Sequence, residues 1–333
     1  TIPDVITLGQ KFRSENYQSA RVGKIYHYHN PRDIGTAGHD DPFTWDRTFN
    51  PWGRDKKEED KINTLMAGEY GGTLSWLEAD GRDEEQTDGI GANETIGLLD
   101  EFAKSGENFF LAYGLFRPHV PFVAPKKYYD LYETKKMEIP TSSDQYLKSL
   151  PIPAAVSVRD KGEVQNNMDI NTAKTIKEAY YATTSFVDAQ VGRVLDKLKE
   201  TGLDKNTIVV FTSDHGDYLG DFNMMLKGPL KLGSITRVPM IWSDPSSRTA
   251  VRTDTMGSTI DLSASILDRA GLAPYNGIQG RSFLESLSGT KPHRDEVLIE
   301  FNNQGPRMGM TTVPRVRTLR SKTWRLSVYA GED

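Results

Sequence analysis

Thr207-Ile208-Val209-Val210-Phe211-Thr212-Ser213-Asp214-His215-Gly216 pairs an apolar run with an abrupt polar ending. Its β-branched and aromatic residues read as a buried strand that delivers Asp214 and His215 to its carboxyl end. Upstream, Ile176, Tyr180, Thr183, Val187, Val191, Val194 and Leu198 recur every three or four residues and stop at Gly202, the spacing of one helix face. A helix that feeds a buried strand is half of an α/β unit. The strand pattern returns at Phe109-Phe110-Leu111-Ala112-Tyr113 and Val238-Pro239-Met240-Ile241-Trp242, and more weakly from Ala20 to Tyr26. A helical stripe through Ile96, Leu99 and Phe102 ends at Gly106, just ahead of Phe109. A third helix, with Ser258 as its cap and Asp261 three positions on, runs through Leu262, Ile266 and Leu267 to Gly271. This alternation predicts an α/β fold, a largely parallel or mixed sheet sandwiched by helices.

Two stretches break the rhythm: residues 28 to 90, and residues 134 to 170 with Pro140, Pro151 and Pro153. Long irregular connections in a domain often serve function, and both read as insertions on the substrate side. The 333 residues with 37% hydrophobic content suffice for one large core or two smaller ones. A net charge of -5, with both signs interspersed, gives no reason to expect nucleic acid as a partner. No window approaches the roughly 18 consecutive apolar residues of a membrane span. With no cysteine, disulfides, thiolate metal sites and cysteine nucleophiles are excluded from these residues.

Ligands of open α/β sheets bind beyond the carboxyl ends of the strands, so the residues there carry the candidate chemistry. Asp214 and His215 place a hard carboxylate beside an imidazole, a pair that a divalent cation can take; an aspartate at a strand end is as often a turn former. Arg117 and His119 lie in Arg117-Pro118-His119-Val120-Pro121-Phe122, where two prolines stiffen the loop. A guanidinium there suits an anion, and a histidine suits proton transfer to a leaving alkoxide. Lys24 and Lys227 each interrupt an apolar run, and such lysines either snorkel to solvent or meet a buried anion. With His27, these residues form a set suited to an oxyanion held beside a metal, and they are expected to converge on one cleft.

The stretches Val22-Gly23-Lys24-Ile25-Tyr26-His27, Arg117 to Tyr128, Tyr180-Tyr181-Ala182, Val187 to Gly192, Thr212 to Gly216, Lys227-Gly228-Pro229 and Thr236 to Pro239 carry a resemblance in collinear order. The chain resembles the sulfatase family of the alkaline-phosphatase superfamily, its middle being most similar to the iduronate sulfatase branch and bacterial relatives. The resemblance implies hydrolysis of a sulfate ester such as a sulfated sugar. It implies Asp214 and His215 as Ca2+ ligands, with Lys24, His27, His119 and Lys227 around the sulfate. It implies His119 as the group that protonates the leaving oxygen, and Arg117 as a substrate-binding residue where iduronate sulfatases have lysine. Asp221-Phe222-Asn223 departs from the acidic residue and His-Gly of many relatives.

Sulfatases take their nucleophile, formylglycine, from a Cys or Ser in Cys/Ser-x-Pro/Ala-x-Arg, through a formylglycine-generating enzyme or an anaerobic maturase. No such motif occurs here; Ser243-Asp244-Pro245-Ser246-Ser247-Arg248 has one residue too many before the arginine. The expectation is therefore a catalytic domain over residues 1–290 that lacks its first strand and nucleophile segment, and over 291–333 the start of a truncated C-terminal subdomain. Thr1 to Leu8 resembles the helix that follows the nucleophile. A periplasmic or secreted location is expected of the full protein. Two other readings stand beside this one: a phosphodiesterase or phosphonate monoester hydrolase of the same superfamily, and a non-catalytic anion-binding remnant.

Overall fold

Strand β1 (Gln18–Gly23) explains why the chain folds as an α/β protein. Every residue after Gln18 in it is buried, as expected of a strand covered on both faces. Arg21 sits in this setting only because its guanidinium is saturated: it pairs with Asp40 at 2.6 Å and donates to the carbonyls of Gly23 and Phe49 and to Asn50. β2 (Arg47–Phe49) and β5 (Phe109–Gly114) flank β1, both parallel to it. This computed structural model describes residues 5–150, 168–247, 249–289, 291–303, 312–313 and 315–330. Thr1 to Asp4, Pro151, Pro153 and Arg248 lie outside them.

The described residues group into two compact units, one formed by Thr7–Ile139 with Met168–Ile208, the other drawn from Thr1–Ile6, Pro140–Asn167 and Val209–Asp333. In the first unit, α1 (Leu8–Ser14) starts at a capping box in which Thr7 and Gln10 satisfy each other's backbone. α2 (Thr87–Ser105) ends where Gly106 turns left-handed at φ 70°. Its Leu98 and Phe102 pack with Ala20 and Val22 of β1 and with Phe109, Leu111 and Tyr113 of β5. Each large apolar side chain buried there contributes on the order of 1.5–3 kcal/mol. α3 (Ile170–Glu200) begins at Asp169, whose carboxylate accepts from the backbone of Asn171 and Thr172. It packs along α2. Tyr180 and Tyr181 thus lie inside a long helix. A further small sheet joins β3 (Asn63–Thr64), β4 (Ser75–Ala79) and β6 (Phe122–Pro125), with β4 parallel to β6 and antiparallel to β3.

In the second unit, β7 (Val209–Thr212) and β8 (Met240–Ser243) pair antiparallel. α4 (Asp261–Arg269) reverses the expected cap: the backbone N–H of Ser258 donates to the Asp261 carboxylate, which also holds Arg294 and His293. Burial pushes that carboxyl up, but the hydrogen bonds from Arg294, Arg281, His293 and Ser258 together hold it well below the usual range. β9 (Glu296–Asn302), β10 (Arg315–Ser321) and β11 (Arg325–Ala330) form an antiparallel sheet in the order β11-β10-β9.

The fold is thus mixed α/β, as expected, with two corrections in detail. The weak strand predicted from Ala20 to Tyr26 ends at Gly23, where φ turns to +73°, so Lys24 is the first residue of a loop. Residues 28 to 90 contribute β2, β3 and β4 rather than loops alone. Beyond Ser243, which closes β8, Asp244 accepts from the backbone and hydroxyl of Ser246 and from Nε and Nη2 of Arg269. No helix among the described residues is long and apolar enough to cross a membrane.

Candidate active site

In the first unit, the site grows from the adjacent carboxyl ends of β1 and β5. Their backbones touch. A Cβ on Gly23 would stand 2.0 Å from the Gly114 carbonyl oxygen, and one on Gly114 would stand 1.9 Å from that of Lys24. Only glycine at both positions permits this approach, which the Lys24 N–H completes by donating to Gly114 at 2.9 Å. The loop after β1 carries Lys24, His27, Tyr28 and Asn30; the loop after β5 carries Phe116, Arg117 and His119.

Lys24 is half-buried, its ammonium 6.0 Å from the centre of the Tyr28 ring. That ring is buried edge-on against Phe116, and burial pushes its hydroxyl up to about 12 although Arg21 opposes the shift. His27 is exposed on the same loop. His119 is half-buried, and its Nδ1 lies 2.8 Å from the Val120 carbonyl oxygen. The Asn30 amide donates to that oxygen, also at 2.8 Å. A carbonyl only accepts, so Nδ1 carries the proton and Nε2 the lone pair of the neutral ring.

The Arg117 side chain is 2% exposed and pairs at 2.8 Å with Asp55, 5% exposed, while its Nη1 is buried with no hydrogen-bond partner among the described residues. Asp55 in turn accepts from the backbone and hydroxyl of Thr87 at the start of α2. The neighbouring Asp88 accepts from the backbone N–H groups of Phe116 and Arg117. Burial pushes the Asp88 carboxyl up to about 6 against the pull of Arg117 and these two bonds. Both aspartates thus brace the His119 loop from the helix end. Neither was singled out from the sequence, since each lies far from that loop along the chain.

In the second unit, Asp214 and His215 follow β7. The ring of His215 repeats the device of His119: Nδ1 lies 2.8 Å from the carbonyl oxygen of the next residue, Gly216. Its Nε2 lies 2.5 Å from the Lys227 ammonium and 3.4 Å from Asp214. Lys227 is brought there by a tight excursion over residues 217–226. The Asp217 carboxylate accepts from the backbone of both Leu219 and Leu226 at 3.0 Å and so closes the loop. Burial pushes that carboxyl up to about 7, with the two bonds and Lys227 opposing. Leu219, Phe222, Asn223 and Leu226 all have positive φ, a concentration of strain that persists because the surroundings fix it. Phe222 stacks on Tyr146 at 5.6 Å, and the Asn223 amide exchanges two hydrogen bonds with the backbone of Ser142.

Calcium takes six to eight oxygen ligands. Asp214, with its side chain 73% exposed, offers a carboxylate oxygen to such an ion, while the adjacent Nε2 of His215 is a nitrogen that faces the Lys227 ammonium. Among the described residues no group of three or more His, Cys, Asp or Glu is gathered in a way that could hold a metal. These residues fit one edge of a calcium site and do not enclose one.

The chain is 29% identical over 303 residues to a sulfatase of Formosa agariphila (strain DSM 15362 / KCTC 12365 / LMG 23005 / KMM 3901 / M-2Alg 35-1), covering 89% of this chain and 58% of that protein. It is 29% identical over 261 residues to the iduronate 2-sulfatase of Homo sapiens, covering 73% of this chain and 46% of the human protein. The chain spans about half the length of the curated relatives it matches. Among solved structures, the phosphonate monoester hydrolase of Silicibacter pomeroyi shares the fold with a TM-score of 0.76 at 22% identity, over 98% of this chain and 72% of that one. The family model described as Sulfatase matches residues 3–272, and the chain belongs to the sulfatase family.

Proposed function

We propose that these residues supply the sulfate-binding and leaving-group side of a sulfuric ester hydrolase that releases sulfate from a sulfated sugar or a similar ester. The observation that carries this reading is the setting of His119, whose Nδ1 is held on the Val120 carbonyl at 2.8 Å. With that nitrogen committed, Nε2 is where the ring takes up and gives back a proton. As the bond from sulfur to the ester oxygen breaks, the proton on Nε2 passes to the leaving alkoxide. Lys24 and Lys227 balance the charge of the sulfate oxygens, and His27 contributes a further donor. Asp214 and His215 would hold one side of a Ca2+ ion, which when bound would supply positive charge to a sulfate, in keeping with the metal dependence that the family implies. Formylglycine is the nucleophile proposed for the whole protein, installed by a formylglycine-generating enzyme or an anaerobic maturase, and a periplasmic or secreted location is proposed with it.

Inorganic sulfate titrated into residues 1–333 tests the binding side. The expected result is binding that weakens in both Lys24→Ala and His119→Ala; binding indifferent to both substitutions would end the proposal. Phosphate that binds these residues far more tightly than sulfate would move the assignment to a phosphonate or phosphodiester hydrolase. Because these residues hold no cysteine, turnover of an aryl sulfate or a sulfated uronic acid is expected to be absent, even with calcium and a formylglycine-generating enzyme added. Turnover that disappeared in His119→Ala would show a nucleophile within residues 1–333 after all. Cell fractionation of the source organism checks the location.

A further inference from the structure

We propose that Asn30 is a positioning residue that sets which nitrogen of His119 exchanges protons, an inference that rests on reading His119 as the leaving-group acid. Two N–H donors converge on a single oxygen here. The His119 Nδ1 and the Asn30 Nδ2 each lie 2.8 Å from the Val120 carbonyl oxygen and 3.4 Å from one another. A carbonyl oxygen has two lone pairs, and the two donors use both. Val120 is 3% exposed and Asn30 6% exposed, so water does not substitute readily for either donor.

The amide is also fixed in the sense this role requires. Its Oδ1 is buried and has no hydrogen-bond partner among the described residues, whereas Nδ2 is engaged. Turning the amide over would press Oδ1 against the Val120 oxygen, acceptor on acceptor. The backbone of Asn30 is pinned from behind by Gly71, where a Cβ would stand 1.7 Å from the Asn30 carbonyl oxygen and 3.1 Å from the Pro31 ring. Held in this way, Asn30 stops the Val120 carbonyl from swinging away. Moving the His119 proton from Nδ1 to Nε2 would then set two lone pairs against each other at 2.8 Å. A carboxylate in place of the amide would attract the imidazolium proton and retain it. The neutral amide orients the ring without that attraction, which suits an acid that must give its proton up.

The tautomer is observable without activity. In the chain labelled with 15N-histidine, long-range 1H–15N correlations report which ring nitrogen is protonated, with His119 assigned by the loss of its signals in His119→Gln. His119 in the neutral form is expected as the Nδ1–H tautomer in the native chain, and as a mixture with a clear Nε2–H fraction in Asn30→Leu, which is near in size but has no donor. His215, with Nδ1 on the Gly216 carbonyl at 2.8 Å, is expected to keep Nδ1–H in both and reports that the fold is intact. Native His119 in the Nε2–H form, or an unchanged tautomer in a folded Asn30→Leu, overturns the proposal. If Asn30→Leu does not fold, Asn30→Ser removes the reach of the donor and less volume; it is expected to give the same mixture, and an unchanged tautomer overturns the proposal equally. Failure of the functional reading looks different: sulfate binding would ignore His119→Ala while the tautomer still followed position 30.

Discussion

His119 and His215 are held in the same way and surrounded in opposite ways. Each lies 2.8 Å through Nδ1 from the carbonyl oxygen of the residue that follows it. At His119 a neutral amide, that of Asn30, shares the same carbonyl, and the loop is braced underneath by the buried pairing of Arg117 with Asp55. At His215 the further partners are charged, Lys227 at 2.5 Å and Asp214 at 3.4 Å from Nε2, on a loop held by a strained turn. Fixing Nδ1 settles which nitrogen faces outward; the neighbours settle what that nitrogen is suited to. The amide near His119 carries no charge, whereas Nε2 of His215 has a cation and an anion beside it.

The largest effect that separates the two regions should come from the brace. Arg117→Met leaves Asp55 buried without its partner, and unfolding in urea is expected to show a loss of about 3–5 kcal/mol. A loss below about 1 kcal/mol would mean that the His119 loop is not held from below. Next is the glycine contact. Gly114→Ala places a methyl group 1.9 Å from the Lys24 carbonyl oxygen, so β1 and β5 must separate at their ends. The expected result is a clearly lowered melting temperature together with weaker sulfate binding, and a full-strength sulfate site in a folded Gly114→Ala would contradict the geometry.

A pH titration of stability gives a smaller signal. The Asp88 carboxyl is pushed up to about 6 by burial, so between its ordinary value near 4 and that point the folded chain retains a proton that the unfolded chain releases. Stability from this group is fully present below about pH 4 and falls as the pH rises to about 6, by at most ~3 kcal/mol. Asp88→Asn should flatten that slope by about one proton, in urea unfolding measured across the window. A slope unchanged in the variant would place the proton elsewhere. The smallest effect belongs to Lys227→Gln. This lysine is exposed, and stability is expected to change by no more than about 0.5 kcal/mol. A large loss would show that its contact with His215 holds the second loop as firmly as Arg117 holds the first.

The sequence was most readable where periodicity is long. The stripe from Ile176 to Leu198 lies inside α3, and Gly106 and Gly202 both adopt the left-handed turns expected just beyond helices. It was least readable between residues 28 and 90, because β2 and β3 are three and two residues long, too short for any alternation to register. Arg21 disguised β1, since a charged residue at a buried position is explained only by Asp40 and Asn50 far along the chain. The same reason hid the pairing of Arg117 with Asp55. Its neighbours in sequence suggest an anion receptor, while its partner Asp55 is 62 positions away. Asn30 stood in plain view beside His27 and His29, but nothing local signals that its amide reaches the Val120 carbonyl.

The contact between Gly23 and Gly114 also bears on how the protein can change without being lost. Two loops that spring from one welded junction share an origin, whatever lengths they reach farther out. Insertions or replacements beyond Asn30 or beyond Phe122 can reshape the outer parts of both loops while the distance between the roots of Lys24 and His119 stays constant. The outer segments and the junction are thereby placed under separate control, and a library that randomises the outer segments while leaving both glycines untouched would test the proposed function by changing which esters are bound without loss of the fold.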